Sequence, residues 1–445
     1  MYKNYVSWQD LILVPLYFLV LYFFMLIIKK RNKENPLYQK YLIKGFVFKI
    51  ACTILYCLLV YYYWGMGDSI HYFKNTLYVH HLINIRKEDF HILFQNEMYL
   101  ADKYSLDGTS TSQGWLLERM TFLLGYLSFF RFVTTSMLFA TIAYSGMFKM
   151  FEAFTMLMPK WDKPLSFAVL FFPTVAIYGS GILKDTVCIA AMGWLIYCNN
   201  QLFINHKIKV RYIIMMTICA FLVFQIKAYI ILAFFVPYII FLIMMLVNKI
   251  KNIFFRRLFF PLLILMLTLL YNFNATSIDN LLGRFAIEKL FDNIKEQQQS
   301  YFASEESGGG SSFNIGTIEP TMSGFIKKMP TGINATLFRP YLWESKNFLM
   351  IFSAMESLIL LLITVWILLK TGFFRFFKTI FNDPFVFLFV TFSLIFAAII
   401  GLSTSNFGTL GRYRIPIVPF YLAGILFILY KKKFISQKTP HEKTE

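Results

Sequence analysis

Charge is scarce in this chain: 15% of its 445 residues are Asp, Glu, Lys or Arg, against 58% hydrophobic residues. Soluble domains hold charged residues nearer a quarter of the total, so an ordinary soluble protein is excluded and the apolar surplus must face lipid. Cysteine is also scarce. Cys52, Cys57, Cys188, Cys198 and Cys219 all lie within or at the ends of apolar segments, where they read as small packing residues rather than a disulfide framework or a soluble metal site. The chain carries no metal-ligand spacing, no P-loop, no nucleotide fingerprint and no Ser-His-Asp order, so neither a metal nor a cofactor is expected. It shows no internal repeat of the kind that marks inverted-repeat transporters. It also lacks the alternating ten-residue segments of a membrane β-barrel.

What is present is a series of apolar runs of about 18 to 25 residues, such as Leu11 to Ile28 and Phe348 to Leu369, the length a helix needs to cross a hydrocarbon core. The formal net charge of +19 would suggest nucleic acid in a soluble protein. Here the basic residues fall mostly in short loops between apolar runs, which is the positive-inside pattern, and no nucleic-acid partner is expected. Six clusters are assigned to the cytoplasm: Lys29 to Lys44, Lys149 to Lys163, Lys207 to Arg211, Lys249 to Arg257, Lys370 to Lys378, and Lys431 to Lys433. The first apolar run precedes its basic cluster, the reverse of a secretory signal, and is read as a retained helix with the N-terminus outside.

Alternating clusters with runs predicts an all-α, polytopic integral membrane bundle of about eleven transmembrane helices. The spans are placed near 10–28, 45–64, 130–150, 165–179, 184–203, 211–225, 229–248, 258–273, 348–369, 383–402 and 416–430. The whole chain, 1–445, is read as one membrane domain with a short cytoplasmic tail at 431–445. Two long outer loops remain, 65–129 and 274–347, with short outer turns near 179–184, 225–229 and 402–415. Segment 113–130 in the first loop reads as an interfacial helix, and Ile278 to Tyr301 in the second as an amphipathic surface helix next to a Gly/Ser hinge at Ser307 to Ser312.

Charges in or beside spans mark a site or a buried pair, because they cost free energy in lipid. Asp68, after Gly65 and Gly67, is placed to act as a general base or to cap the helix that follows, with His71 a spectator on the same face. Gly179 to Thr186 forms a tight turn whose freed N–H groups and Lys184 suit an anion; the alternative is a hairpin in which Lys184 and Asp185 snorkel or pair with neighbours. Lys227 is a lone cation in a similar turn, open to phosphate contact or plain snorkelling. Arg339 suits a pyrophosphate and has Glu344 close by, while Tyr341 and Trp343 belong at the membrane interface in any case. Arg412 and Arg414 precede the last span, at an end where positive charge runs against the positive-inside bias. Glu356 and Arg131 sit deeper in their spans. Glu356 is the residue on which a proton-relay transporter would rest.

Gly67-Asp68 with Tyr72 after an early span, Ser180 to Asp185, and Arg412-Tyr413-Arg414-Ile415-Pro416 before a final span together resemble a bacterial family. The chain is similar in pattern and topology, over most of its length, to the Wzy-type and EpsG-like repeat-unit polymerases of surface-polysaccharide loci, and more distantly to GT-C glycosyltransferases. The resemblance implies a transferase in the bacterial inner membrane that joins polyprenyl-pyrophosphate-linked glycan units at the outer face. Lys184, Lys227, Arg339, Arg412 and Arg414 would then clamp the pyrophosphate, Asp68 or Asp185 would be the base, Glu344 would contact substrate, and other polysaccharide-assembly membrane proteins would be further partners. GT-C enzymes place their acidic motif after the first span and carry a large soluble C-terminal domain; here Asp68 follows the second expected span and the tail is short, which favours the polymerase-like expectation. The alternatives are a lipid-glycan flippase or transporter, which needs a polar path through the midplane, and a non-catalytic scaffold of an assembly machine.

Overall fold

The computed structural model describes residues 6–65, 67–85, 87–94, 112–247, 313, 315–316 and 321–438. Among them there are fifteen α-helices and no strands, an all-α polytopic membrane bundle. Five helices are long and apolar enough to cross a membrane: Asp10–Arg31, Tyr38–Trp64, Val210–Val247, Phe348–Thr371 and Pro384–Ser403. Two bent pairs raise the number to seven if each is one span. The expected span at 258–273, the amphipathic stretch 278–301 and the hinge 307–312 lie outside the described residues. The chain forms two compact units, Met1–Ile231 and Leu232–Glu445.

In the first unit, α1 (Asp10–Arg31) opens with an acid and closes with Lys29, Lys30 and Arg31, charges that suit the two ends of the helix dipole. Asn32 ends it, its side-chain amide donating to the Ile28 carbonyl at 2.8 Å. Helix α2 (Tyr38–Trp64) stops at Gly65, whose φ of 66° is left-handed and favours glycine. Then come α3 (Asp68–Ile85), a 3₁₀ segment at Lys87–Phe94, α4 (Ser112–Leu127) and α5 (Phe132–Leu157). The residues expected as an interfacial helix at 113–130 form α4, which is bent by 111° from α5.

The expected span 165–179 is broken. Helix α6 (Asp162–Ser166, continuing through Phe171) ends at Phe172, whose extended backbone is what a residue before proline prefers, and Pro173 opens α7 (Pro173–Tyr178). Helix α8 covers Lys184–Phe203. It packs on α5 through backbone: a Cβ on Gly193 would lie 2.0 Å from the Gly146 carbonyl oxygen. The two expected spans at 211–225 and 229–248 are two helices that meet at a kink, labelled together as α9 (Val210–Val247), and Lys227 at the kink leaves helical geometry, at φ −145° and ψ 74°.

The second unit contains α10 (Met322–Phe338), α11 (Phe348–Thr371), α12 (Phe373–Asn382), α13 (Pro384–Ser403), α14 (Phe407–Tyr413) and α15 (Val418–Lys438). Side chains cap four of their starts: Thr321 at α10, Asn347 at α11, Asp383 at α13 and Asn406 at α14. Asp383 also holds Lys431 at 2.6 Å. Helix α15 continues through Lys438, so the expected tail at 431–445 begins as helix. Helix α10, expected within an outer loop, packs closely against α13. A Cβ on Gly401 would lie 2.0 Å from the Gly332 carbonyl oxygen, and the Thr336 hydroxyl donates to the Ala397 carbonyl at 2.7 Å. The sequence hid this helix because Lys327, Lys328 and Asn334 make it too polar to read as a buried element.

Candidate functional site

The expected site residues fall into two groups, one in each unit. In the first unit, Gly67, at φ 149°, leads into α3, and Asp68 stands exposed at its start. The next residue, Ser69, is buried and donates to the Ile182 carbonyl at 3.0 Å, while its oxygen lies 2.7 Å from the Tyr56 hydroxyl. The start of α3 is thereby tied to the turn that starts α8. Within that turn the Thr186 hydroxyl donates to the Gly181 carbonyl at 2.8 Å. Lys184 is half-buried, its ammonium 5.8 Å from the centre of the Tyr72 ring, one helical turn after Asp68. Asp68 and Lys184, far apart in sequence, thus stand at two neighbouring helix starts.

Asp185 and Lys227, expected as base and clamp, meet each other. The ammonium lies 2.5 Å from Oδ1, with the side chains 6% and 1% exposed. Neither is presented to solvent, and the arrangement is that of a bracing pair across two helices. Lys49 supports the same turn from inside α2 and is absent from the sequence expectations. It is fully buried and donates to the Ala176 carbonyl at 3.0 Å, at the end of α7. A lone lysine inside an apolar run was a legible signal, since such a charge is costly unless partnered. Buried Glu118, which accepts from Asn75 at 2.9 Å, was missed as well.

Gly181 tests the tie between the two helix starts. A Cβ there would lie 2.0 Å from the Tyr56 ring. Gly181→Ala is expected to push Tyr56 off Ser69 and cost about 1–3 kcal/mol, read as a lower melting temperature of the purified protein.

In the second unit Arg339 is held on several sides. Its Nε lies 3.0 and 3.1 Å from the two oxygens of Glu344, Nη2 makes a further contact with the same carboxylate, and its guanidinium carbon is 4.8 Å from the Phe313 ring and 5.2 Å from the Phe407 ring. Phe313 and Phe407 stack at 4.4 Å. The Arg339 carbonyl accepts from the Ser357 hydroxyl at 2.9 Å, and Ser357 in turn accepts from Arg414 at 2.7 Å. Arg414 is 1% exposed and faces Glu356 at 3.3 Å. Arg414, expected as part of a pyrophosphate clamp, is thus buried beside Glu356. Arg131, the other deep charge, instead donates to Ser7 at 3.0 Å. Arg412 is half-buried, 5.1 Å from the Tyr413 ring.

Burial would raise the Glu344 carboxyl, but hydrogen bonds from Arg339 and from the Tyr341 N–H outweigh it and hold the group below its ordinary value of 4.5. A carboxylate held down in the folded state stabilises the fold fully above that value, and the contribution is lost as pH falls through the lowered one. The melting temperature of the wild type is therefore expected to exceed that of Glu344→Gln by a constant margin from neutral pH down to 4.5. The margin should close only in more acidic buffer.

Tyr341 and Trp343 stack at 4.8 Å beside this ion pair. Among the described residues no group of three or more His, Cys, Asp or Glu is placed to hold a metal ion. No protein-family model, curated protein or solved structure matches the chain, and the chemistry of the site is read from its own geometry.

Proposed function

We propose that this protein is a membrane glycosyltransferase that joins polyprenyl-pyrophosphate-linked glycan units at the outer face of a bacterial inner membrane. The observation that carries the reading is the meeting of two helix starts in the first unit, one bearing the exposed carboxylate of Asp68 and the other the half-buried ammonium of Lys184. Asp68 takes the proton of an acceptor hydroxyl as that oxygen bonds to the donor's anomeric carbon. The bond from that carbon to the pyrophosphate breaks with its electrons going to the phosphate oxygen. Lys184 and the N–H groups that open α8 stabilise the charge that develops there. Within the second unit, Arg339 and Arg412 are separate candidates for anion contacts, with Glu344 orienting Arg339. Asp185, Lys227 and Arg414 brace the helices that present these groups.

The pairing of Glu356 with Arg414 supports this reading over a proton-relay transporter, because a relay acid must exchange its proton along a polar path and this one is committed to a buried cation. The test is a deletion strain complemented with the wild type or with Asp68→Asn, Lys184→Ala, Arg339→Ala or Arg412→Ala, scored for surface-glycan length on a gel at matched membrane levels. The expected result is single repeat units in the deletion and in the Asp68 and Lys184 variants. Unchanged glycans in the deletion strain would sink the proposal.

A further inference from the structure

Trp343 is the most exposed large side chain near the second group of charges, at 81%, yet it is firmly placed. One face of its indole rests on Tyr341, with ring centres 4.8 Å apart and planes within 22°. The Tyr341 hydroxyl lies 3.0 and 3.1 Å from the amide nitrogen and oxygen of Asn334, in α10. The Tyr341 N–H donates to Glu344 at 2.8 Å, and Glu344 is gripped by the Arg339 fork. An aromatic that only anchors a protein in the membrane interface needs depth, not a fixed orientation. Here an ion pair, an amide and a second ring all serve to hold one indole face open.

We propose that Tyr341 and Trp343 form a saccharide-binding platform, with the free indole face taking the apolar face of a pyranose ring. A rigid aromatic presents large contact area at little conformational cost, and sugar recognition couples such a face to a few polar groups that fix orientation. Charged groups stand beside it in the Arg339–Glu344 pair. Lys346 follows, exposed. The inference rests on the transferase reading for the identity of the glycan.

The test uses the full chain in nanodiscs, labelled with 5-fluorotryptophan, with the Trp343 fluorine signal assigned by its loss in Trp343→Phe. The probe is the set of repeat-unit oligosaccharides released by mild acid from the host's own surface polysaccharide. A saturable shift of the Trp343 signal is expected, with saturation transfer to the sugar's ring protons retained in Trp343→Phe and affinity weakened roughly tenfold in Trp343→Ala. A Trp343 signal that ignores oligosaccharide and responds only to brominated lipid would overturn the platform and mark the residue as a membrane anchor. The wild-type shift decides the matter even if Trp343→Ala fails to fold. A shift found together with unchanged glycans in the deletion strain would keep the platform and remove the transferase. Polymerised glycan with no shift would do the reverse.

Discussion

Asp185→Asn and Lys227→Met are each expected to lower the stability of the protein by about 3–5 kcal/mol, because either change breaks a buried ion pair and leaves the opposite charge in the interior. The pair lies at 2.5 Å with side chains only 1% and 6% exposed, so water cannot take over the lost interaction. Lys227 is also the one residue at which α9 leaves helical geometry, and the ion pair holds that break against the start of α8. The double variant Asp185→Asn with Lys227→Met removes both charges and is expected to recover about 1–3 kcal/mol relative to the sum of the singles. Thermal melting in detergent, together with yield from membranes, checks this. If Asp185→Asn melts like the wild type and abolishes glycan extension at normal levels, the pair is not structural and Asp185 returns as a candidate base. The expectation is the opposite: glycan is lost because folded protein is lost, whereas Asp68→Asn leaves the fold intact and stops the reaction.

Gly193→Val should be still less tolerated. The first atom of any side chain there would lie 2.0 Å from the Gly146 oxygen and 2.5 Å from its carbonyl carbon, and backbone cannot turn aside as a flexible side chain does. Helices α5 and α8 would have to separate, undoing the close approach that small residues permit in membrane bundles. A cost of about 3 kcal/mol or more follows, at or beyond the upper end for overpacking. The matching change in the second unit, Gly401→Ala, meets the Gly332 oxygen at 2.0 Å and should behave alike. Gly411→Ala is the control, since its new atom would touch only the Ser353 hydroxyl, at 3.4 Å, an ordinary contact. Melting curves of the three variants in one detergent decide the matter; equal curves would mean the two helix crossings are looser than their carbonyl contacts imply.

Some of the site was legible without coordinates. Asp68 and Lys184 were each singled out by the glycines before them, because a glycine-rich turn into a helix is a local signal. The status of Asp185 and Lys227 was not, since sequence alone leaves Asp185 a base or a paired acid and Lys227 a phosphate contact or a snorkelling cation. No spacing in the sequence pointed to a partner for Glu356. It faces Arg414 directly, 58 residues away, and Arg414 also donates to Ser357.

The sequence by itself determined that this is an all-α membrane protein, and the positions of several of its spans. The helices at Asp10–Arg31, Phe348–Thr371 and Pro384–Ser403 lie within a few residues of the expected ones. A helix in lipid satisfies all its backbone groups within its own segment, so its existence is a local property of an apolar run. Only the tertiary structure decided which charges are spent on one another, that polar α10 is a packed helix, and that Lys49 holds the turn at Ala176. Those outcomes depend on which helices touch, and that is set by glycine contacts between segments distant in sequence rather than by any one segment's composition.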